Sequence, residues 1–278
     1  MYLDAIKFHE SIFALPFAYI GMTLAADGFP GWATFGWITL AMVSARTVGM
    51  SANRVIDRHI DALNPRASMR HIPQGQLKAK EMTALAVVSL FVVLFAASQL
   101  NTLALMLTPV AAAYLILYPY TKRFTWAANL LLGWALAISP SAAWIGVTGS
   151  LTWEPVLISL SVALWAGSFD IIYHTQDVEF HRQNGLHSIA SRFGVPRAFL
   201  IARTLDVCAV LCLVGLGIWM GLSWPYFLSC VAASGFLVYK YILVSPSNLS
   251  RLGVAFGRIN AYVSTTMLVG TVWAVYIG

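Results

Sequence analysis

Charged residues are scarce in this chain of 278 residues. They make up 10% of the sequence, whereas 59% of the residues are hydrophobic and the mean hydropathy is +0.74. Soluble domains carry about 25% charged residues, so this composition excludes an ordinary soluble protein. Acids are rarer than bases, with 11 Asp and Glu against 17 Lys and Arg. The sequence therefore predicts a protein that crosses a membrane several times.

Cysteine and several common motifs are also missing. The chain has three cysteines, two of which, Cys208 and Cys212, lie one helical turn apart in an apolar stretch. No CxxC pair or Cys/His zinc spacing occurs, which excludes a disulfide framework and structural zinc. No GxxxxGK[ST] loop occurs, which argues against a nucleotide-dependent phosphotransferase. The opening residues MYLDAIKFHE lack the features of a removable signal, so we expect this segment to be retained.

The fold is predicted from the length and number of the apolar stretches. Crossing a bilayer as a helix takes about 20 residues. Because no linker rich in Gly, Ser or Pro divides the chain, we predict one domain over residues 1–278. The predicted fold is an all-α integral membrane protein with nine transmembrane helices around a central cavity. These nine stretches fall near residues 8 to 26, 33 to 57, 82 to 100, 102 to 119, 126 to 148, 155 to 174, 199 to 220, 224 to 244 and 256 to 277.

Basic residues are confined to alternate connections between the predicted helices. The connections at 27 to 32, 100 to 102, 149 to 154 and 221 to 224 contain no Lys or Arg. By the positive-inside rule the basic side is cytoplasmic, so we expect the N-terminus inside and the C-terminus outside. This distribution also argues against nucleic acid as a partner. Besides the loop after the second helix, the basic set contains Lys78, Lys80, Lys122, Arg123, Arg182, Arg192, Arg197, Lys240 and Arg251.

A first polar cluster lies where the second predicted helix ends. Asn53, Asp57 and Asp61 recur at i, i+4 and i+8. On a helix this spacing puts all three on one face. Acids and bases side by side can hold a divalent cation and a phosphate together. The loop that follows supplies the bases Arg58, Arg66, Arg70, Lys78 and Lys80.

A second polar cluster lies at the end of the sixth predicted helix. Asp170, Tyr173, Asp177 and His181 recur at i, i+3, i+7 and i+11 and share a face. Acids at the C-terminal end of a helix are disfavoured by its dipole, so a cation partner is favoured over a solvated helix end. Oxygen ligands suit Mg²⁺, and arginines grip phosphate oxygens. An amphiphile with a diphosphate head and an apolar tail would fit both clusters.

Two charged residues lie deeper in the predicted helices. Arg46 is roughly 16 Å deeper than Asp57, and Asp170 is roughly 10 Å deeper than Asp177, at the helical rise per residue. Buried ionisable groups usually face a polar interior or each other. We expect both to line one cavity, as a direct ion pair or with a ligand between them. A purely structural bridge between Arg46 and Asp170 is the alternative.

Four motifs in order resemble the UbiA superfamily of membrane-embedded aromatic prenyltransferases. They are NRVIDRHID, RHIPQG, YPYTKRFT, and DIIYHTQDVEF followed by GLHSIASRFG. The resemblance covers nearly the whole chain. It implies Mg²⁺-dependent transfer of a polyprenyl group from its diphosphate to a ring carbon of an aromatic acceptor, at a cytoplasm-facing site in the inner membrane.

The resemblance also implies residue roles. The metal ligands would be Asn53, Asp57, Asp61 and Asp177, with Glu179 or His181 completing the set. The diphosphate would be held by Arg58, Arg66, Arg70, Lys122 and Arg123. Besides the acids Asp57, Asp61 and Asp177, the expected catalytic residues are Asp170, which could accept the proton lost from the acceptor, and Tyr173, which could face the allylic cation. The acceptor carboxylate would pair with Arg46 or Arg123, with His9 bordering that end.

The sequence departs from the family pattern in places, and the acceptor stays open. Arg54 follows Asn53 where the family often has Asp, and His181 stands where quinone-forming members have an acid. The segment KFHESIFALPFA resembles a menaquinone branch that uses a hydroxynaphthoate, whereas better-known relatives use 4-hydroxybenzoate for ubiquinone. Haem, chlorophyll precursors and glycerol lipids are other possible acceptors. A membrane transporter is the alternative from another class, because intramembrane charges also mark transport pathways.

Overall fold

A computed structural model describes residues 1–277. Those residues contain helices and one isolated bridge between Ser245 and Asn248, and no strand. The predicted all-α fold is therefore confirmed. The long helices are α1 (Leu15–Ala26), α2 (Trp32–Ile56), α3 (Ala79–Ser98), α4 (Thr102–Leu117), α5 (Ala128–Thr148), α6 (Trp153–Tyr173), α7 (Val195–Trp219), α8 (Trp224–Leu243) and α9 (Asn260–Ile277).

Six of these helices, some extended by a short neighbouring segment, are long and apolar enough to cross a membrane. The other three are α1, α2 and α9. The helix α1 has 12 residues because the chain before it forms a 3₁₀ segment, Phe8–Phe13. The helix α2 is 25 residues long but carries polar residues in its last turns. The six qualifying segments are Ala79–Ser98, Thr102–Arg123, Ala128–Thr148, Trp153–Gln183, Val195–Trp219 and Trp224–Leu243.

The helix α6 lies at the centre of the bundle. In the most apolar 18 residues of the segment Trp153–Gln183, which contains α6, 72% are buried inside the protein. The corresponding share is 11% for the segment Thr102–Arg123 at the periphery. Close packing on α5 requires glycine, because a Cβ at Gly133 would overlap the backbone carbonyl of Ala163. Polar side chains at the C-terminal end of α6 are thus held by a rigid, enclosed element.

Short helical segments interrupt the chain where several long helices end. The segment Arg58–Leu63 follows α2, and the 3₁₀ segment Tyr118–Arg123 follows α4. After α6 come the 3₁₀ segment His174–Asp177 and the helix Val178–Gln183. We call residues 53–78, 118–129 and 170–189 the polar end of the bundle. The remaining short segments are Tyr2–Ala5, Ile189–Phe193, Leu252–Val254 and the π-helical turn Ala255–Ile259.

The residues before α1 fold back onto α2. The buried guanidinium of Arg54 donates through Nε to the carbonyl of Ala5 at 2.8 Å. Arg46 donates to the carbonyl of Lys7 at 3.1 Å. Lys7 itself has a left-handed backbone with φ of 50°. Two arginines of α2 therefore fix the first residues beside the polar end.

An ion pair lies inside the bundle, between α7 and α8. The amine of Lys240 is 2.6 Å from the carboxylate of Asp206, and both side chains are almost fully buried. Ser168 and Tyr241 complete this cluster, at 3.3 Å from Lys240 and 2.6 Å from Asp206. The sequence assigned Lys240 to a basic connection, and this assignment is wrong because Lys240 belongs to α8 and faces the acid on α7.

We expect Asp206→Ala to lower thermal stability in detergent strongly, because Lys240 would keep a buried charge without a partner, at a cost of about 3–5 kcal/mol. The double variant Asp206→Leu, Lys240→Met should recover most of the loss, since it removes both charges. Asp4→Asn is the control, because Asp4 pairs with the N-terminal amine on the surface. A melting temperature that is unchanged in Asp206→Ala would contradict a stabilising role for the pair.

Candidate active site

The first acid of the site, Asp57, lies directly after α2. It is 1% exposed and contacts two bases of the segment Tyr118–Arg123. The amine of Lys122 is 2.5 Å away and the guanidinium of Arg123 is 3.4 Å away. The side-chain amide of Asn53 donates to the same carboxylate at 3.1 Å. Asp57 therefore joins the end of α2 to the connection after α4.

The second acid, Asp61, is nearly buried and pairs with Arg70 at 2.6 Å. Helical hydrogen bonds continue across the end of α2, because the N–H of Asp57 bonds the carbonyl of Asn53 and the N–H of Asp61 bonds that of Asp57. The predicted i, i+4, i+8 spacing is thus kept through a bend. Arg58, expected at the diphosphate, instead donates to the backbone carbonyl of Val55 at 2.8 Å.

The third acid, Asp177, is bound by the loop that follows the first acidic motif. Arg66 donates to both carboxylate oxygens, at 3.0 and 2.5 Å, and the amide of Asn64 donates at 3.2 Å. Burial lowers the pKa of Arg66, but its bonds to Asp177 outweigh this effect and raise that pKa above its ordinary value. The ends of α2 and α6 are therefore linked directly at the polar end.

The ring of Tyr173 is already covered. The guanidinium of Arg66 lies 4.8 Å from the ring centroid and donates to the phenol oxygen at 2.8 Å. The ring of Phe256 lies 4.3 Å away. The resemblance assigned Tyr173 to an allylic cation; in the structure the ring faces the guanidinium of Arg66 and, at 5.9 Å from its centroid, the amine of Lys7.

The expected ion pair between Arg46 and Asp170 is absent from the described residues. The carboxylate of Asp170 accepts from the amide of Asn129 at 2.8 Å and lies 3.2 Å from the ring of His174. Arg46 is 3.7 Å from Glu10. Asp170 and Arg46 thus each have other partners, and the prediction of a direct ion pair between them is wrong. Asp170 also does not line the cavity between α2, α3, α4 and α5 that Arg46 lines.

Two of the predicted site residues, Glu179 and His9, lie away from the places expected for them. Glu179 is exposed and accepts from the amide of Gln183 at 2.8 Å, because the helix Val178–Gln183 turns it away from Asp177. His9 is exposed on the segment before α1 and does not line the cavity. His181, in contrast, is buried close to Asp177. The structure thus brings His181, and not Glu179, to the second motif.

Sequence reasoning missed three polar residues of this site. His174 precedes Asp177 by three positions and His181 by seven, a helical spacing that could have revealed it. Asn64 directly follows the helix Arg58–Leu63, and no motif or spacing in the sequence singles it out. Asn129 bridges Asp170 to the backbone N–H of Ile189, at 2.8 and 3.0 Å, through contacts that only the fold creates.

A cavity of about 560 Å³ extends from the polar end between α2, α3, α4 and α5. Its walls are mainly apolar, and they include Val110 and Trp134, which are exposed on the outside of the bundle. Arg46, Tyr118 and Ser11 are among its polar lining residues. The Nε of Arg46 is buried and has no partner in the described residues. The cavity therefore combines an apolar wall with one available cationic donor.

The arrangement can bind a metal or a polyanion. The three carboxylates and the amide of Asn53 offer the oxygen donors that Mg²⁺ prefers. A carboxylate has about four lone-pair sites, so a base and a metal can share one acid. The bases Lys122, Arg123, Arg66 and Arg70 surround these acids and suit phosphate oxygens. The donor set thus fits Mg²⁺ together with a diphosphate.

Comparison with known proteins gives the family. The model of the UbiA prenyltransferase family matches residues 14–273. The chain belongs to the UbiA prenyltransferase family. It is therefore a prenyltransferase and a multi-pass membrane protein, and the transporter alternative is not supported.

Individual relatives agree with this family. The 4-hydroxybenzoate octaprenyltransferase of Aliivibrio fischeri is 30% identical over 221 residues, which cover 80% of this chain and 77% of the relative. The apo structure of a UbiA homologue from Aeropyrum pernix has a TM-score of 0.86 at 28% identity, over 95% of this chain and 97% of that one. A UbiA homologue from Archaeoglobus fulgidus, bound to DMAPP and Mg²⁺, has a TM-score of 0.69 at 19% identity, over 96% and 98%. The last likeness concerns the fold.

We expect Asn129→Leu to loosen the segment 184–189, since Asp170 and the N–H of Ile189 would each lose a buried partner, at a cost of about 1–3 kcal/mol per group. Trypsin should then cut faster after the exposed residue Arg182. Asn101→Leu is the matched control, because Asn101 is also a bridging amide but bonds the carbonyls of Ile145 and Gly146. Equal cleavage rates after Arg182 in both variants would contradict this role of Asn129.

Proposed function

We propose that the protein transfers a polyprenyl group from polyprenyl diphosphate to a ring carbon of a carboxylated hydroxyarene, in ubiquinone or menaquinone biosynthesis. The acceptor class is 4-hydroxybenzoate or a dihydroxynaphthoate. One observation carries the proposal: three buried carboxylates from two helix ends are paired with four bases, and an apolar cavity reaches Tyr118, the first residue of the segment that carries two of those bases. An amphiphile with a diphosphate head matches that combination of charge and apolar wall.

The acids would hold Mg²⁺. Its proposed ligands are Asp57, Asp61 and Asp177, with the amide oxygen of Asn53 assisting. When bound, Mg²⁺ supplies positive charge that stabilises the departing diphosphate. The oxygen donor set supports this assignment, as does the Mg²⁺ in the Archaeoglobus fulgidus homologue.

The bases would exchange partners when the substrate binds. Lys122, Arg123, Arg66 and Arg70 each neutralise a carboxylate now, at 2.5 to 3.4 Å. A diphosphate would draw these side chains toward its oxygens and leave lone pairs on the acids for the metal. Metal and diphosphate should therefore strengthen each other's binding, because each compensates the group that the other takes away.

The apolar cavity would hold the prenyl tail. Ionisation of the bond between the allylic carbon and the diphosphate oxygen leaves a carbocation that water would trap. Apolar walls from α2, α3, α4 and α5 would exclude water from that carbon. The exposed apolar residues Val110 and Trp134 would let a long tail extend into the lipid.

Arg46 would bind the carboxylate of the acceptor. Its Nε lies buried without a partner in a chain segment that lines the cavity. A carboxylate there would direct the hydroxylated ring toward the allylic carbon. Diphosphate leaves with the bonding electrons, the ring carbon forms the new carbon–carbon bond, and the ring regains aromaticity by giving its proton to the departed diphosphate.

The membrane arrangement follows from the same end of the bundle. We propose that all nine long helices of residues 1–277 cross or enter the membrane as one domain, with the polar end and the N-terminus at the cytoplasmic face of the inner membrane. The support is the placement of the basic loops there, whereas the loops at 149 to 154 and 221 to 224 lack Lys and Arg.

We expect Asp57→Asn and Asp177→Asn to reduce Mg²⁺-dependent product formation by about a thousandfold or more, because lost charge stabilisation is worth several kcal/mol and each 1.36 kcal/mol is tenfold. Purified variants would be assayed with a labelled prenyl diphosphate and a panel of aromatic acids, haem and glycerol lipids. Glu179→Gln should keep normal turnover. Near-normal turnover in either Asp variant, with intact membrane insertion, would refute the assigned role.

We expect Arg46→Leu to raise the KM for a carboxylated acceptor by about 10- to 100-fold, the effect of losing a charged hydrogen bond worth about 1.5–3 kcal/mol. The KM for the prenyl diphosphate should change little. Arg46→Lys should retain part of the affinity. An equal rise with a phenol that lacks the carboxylate would show that Arg46 acts only by holding the residues before α1.

A further inference from the structure

A second group of possible metal ligands lies beside the acids of the first motif. His174, Asp177 and His181 each offer one ligand atom, and these atoms lie within 4.8 Å of one another. The three residues come from the 3₁₀ segment after α6 and from the helix that follows it. The break between these elements turns His181 inward while Glu179 faces out. The resulting donor set is two imidazoles and one carboxylate.

The chemistry of this set differs from that of the first motif. Asn53, Asp57 and Asp61 offer oxygen, which suits Mg²⁺. Two imidazoles with one carboxylate suit a divalent first-row transition ion such as Zn²⁺, Fe²⁺ or Co²⁺. Mg²⁺ gains little from nitrogen donors. Two classes of cation are therefore favoured at neighbouring places in one site.

The groups behind the two histidines orient them as ligands. The Nδ1 of His174 lies 3.2 Å from Asp170 and 3.3 Å from the amide of Asn129. The Nδ1 of His181 lies 3.2 Å from the hydroxyl of Ser188. A carboxylate or hydroxyl at one ring nitrogen fixes the tautomer and leaves the other nitrogen for a metal. The ring centroids of His174 and His181 lie 5.6 Å apart, and the ring planes are tilted by 32°.

We propose that His174, Asp177 and His181 form a site for a divalent transition-metal ion, separate in its ion preference from the Mg²⁺ ligands of the first motif. Asp177 would be shared between this ion and the substrate machinery. Asp170, Asn129 and Ser188 act as positioning residues for the two rings. This inference rests on the proposed function in one respect. Asp177 serves both sites, and Arg66 would release it when the diphosphate binds.

Arg66 is the internal competitor for this ion. Its guanidinium bonds both oxygens of Asp177, so it occupies the carboxylate from the side of the first motif. A transition ion and Arg66 therefore compete for the same charge. Removing the guanidinium should strengthen binding of the ion, whereas it should weaken binding of a diphosphate.

The test uses the full chain in detergent, purified through a tag free of histidine and stripped with a chelator. Zn²⁺ binding is measured by calorimetry, and Co²⁺ binding by its visible absorption, which reports nitrogen ligation without any need for activity. We expect one tight site for Zn²⁺ or Co²⁺ that excess Mg²⁺ does not displace. His174→Ala and His181→Ala should each weaken it by more than the ~10–100-fold that loss of a supporting residue costs.

Further variants separate ligands from fold. His181→Asp should weaken Co²⁺ and Zn²⁺ binding relative to Mg²⁺ binding, since it leaves one imidazole and two carboxylates. Ser188→Ala should weaken Zn²⁺ by ~10-fold or more, as expected for a supporting residue. Arg66→Gln should tighten Zn²⁺ binding. His59→Ala is the control, because His59 is an exposed histidine at the same end of the bundle.

The outcomes decide between the two proposals. Unchanged Zn²⁺ and Co²⁺ binding in both His174→Ala and His181→Ala, or binding by the original chain no tighter than that of Mg²⁺, overturns the site. Full prenyl transfer with Mg²⁺ and no transition-metal site overturns this inference and leaves the proposed function standing. A tight site that depends on both histidines, in a protein with no prenyl transfer, supports the inference and rejects the proposed function.

Discussion

The structure depends on the neutralisation of buried carboxylates by bases from other parts of the chain. Asp57, Asp61 and Asp177 lie at most 4% exposed, where an unpaired charge is costly. Each acid meets a base that the sequence places up to 111 residues away, as Arg66 and Asp177 show. These pairs connect the ends of α2, α4 and α6, so folding of the polar end and assembly of the site are the same event.

The position of α6 at the centre of the bundle explains why the site can be rigid. Its enclosure by α1, α5 and α7 fixes the residues at its end, and Asn129 of α5 holds both Asp170 and His174. In contrast, two of the four helices that wall the cavity, α3 and α4, are the more exposed ones. Chemistry and tail binding are therefore divided between a buried centre and a lipid-facing side.

Much of this could be predicted from the sequence because it depends on local signals. Apolar length gave the helices, and helical spacing gave Asn53, Asp57 and Asp61 as one cluster. The outward position of Glu179 was not predicted for a physical reason: the chain after α6 changes from α to 3₁₀ geometry, which alters the direction of each following side chain. Lys240 could not be paired with Asp206 from sequence, since only the packing of α7 on α8 brings them together. Arg46 was expected beside Asp170, but its partner came from the N-terminal segment, which has little helical pattern.

The π-helical turn Ala255–Ile259 packs against two other parts of the bundle. It sets Phe256 against Phe13 and Phe169, at 5.5 and 5.4 Å between ring centroids, and the latter two rings lie 5.8 Å apart. These three rings thus connect the segment before α1, the helix α6 and the turn before α9. During synthesis Phe13 can gain this contact only after the segment that carries Phe256 has left the ribosome, so this part of the packing forms late.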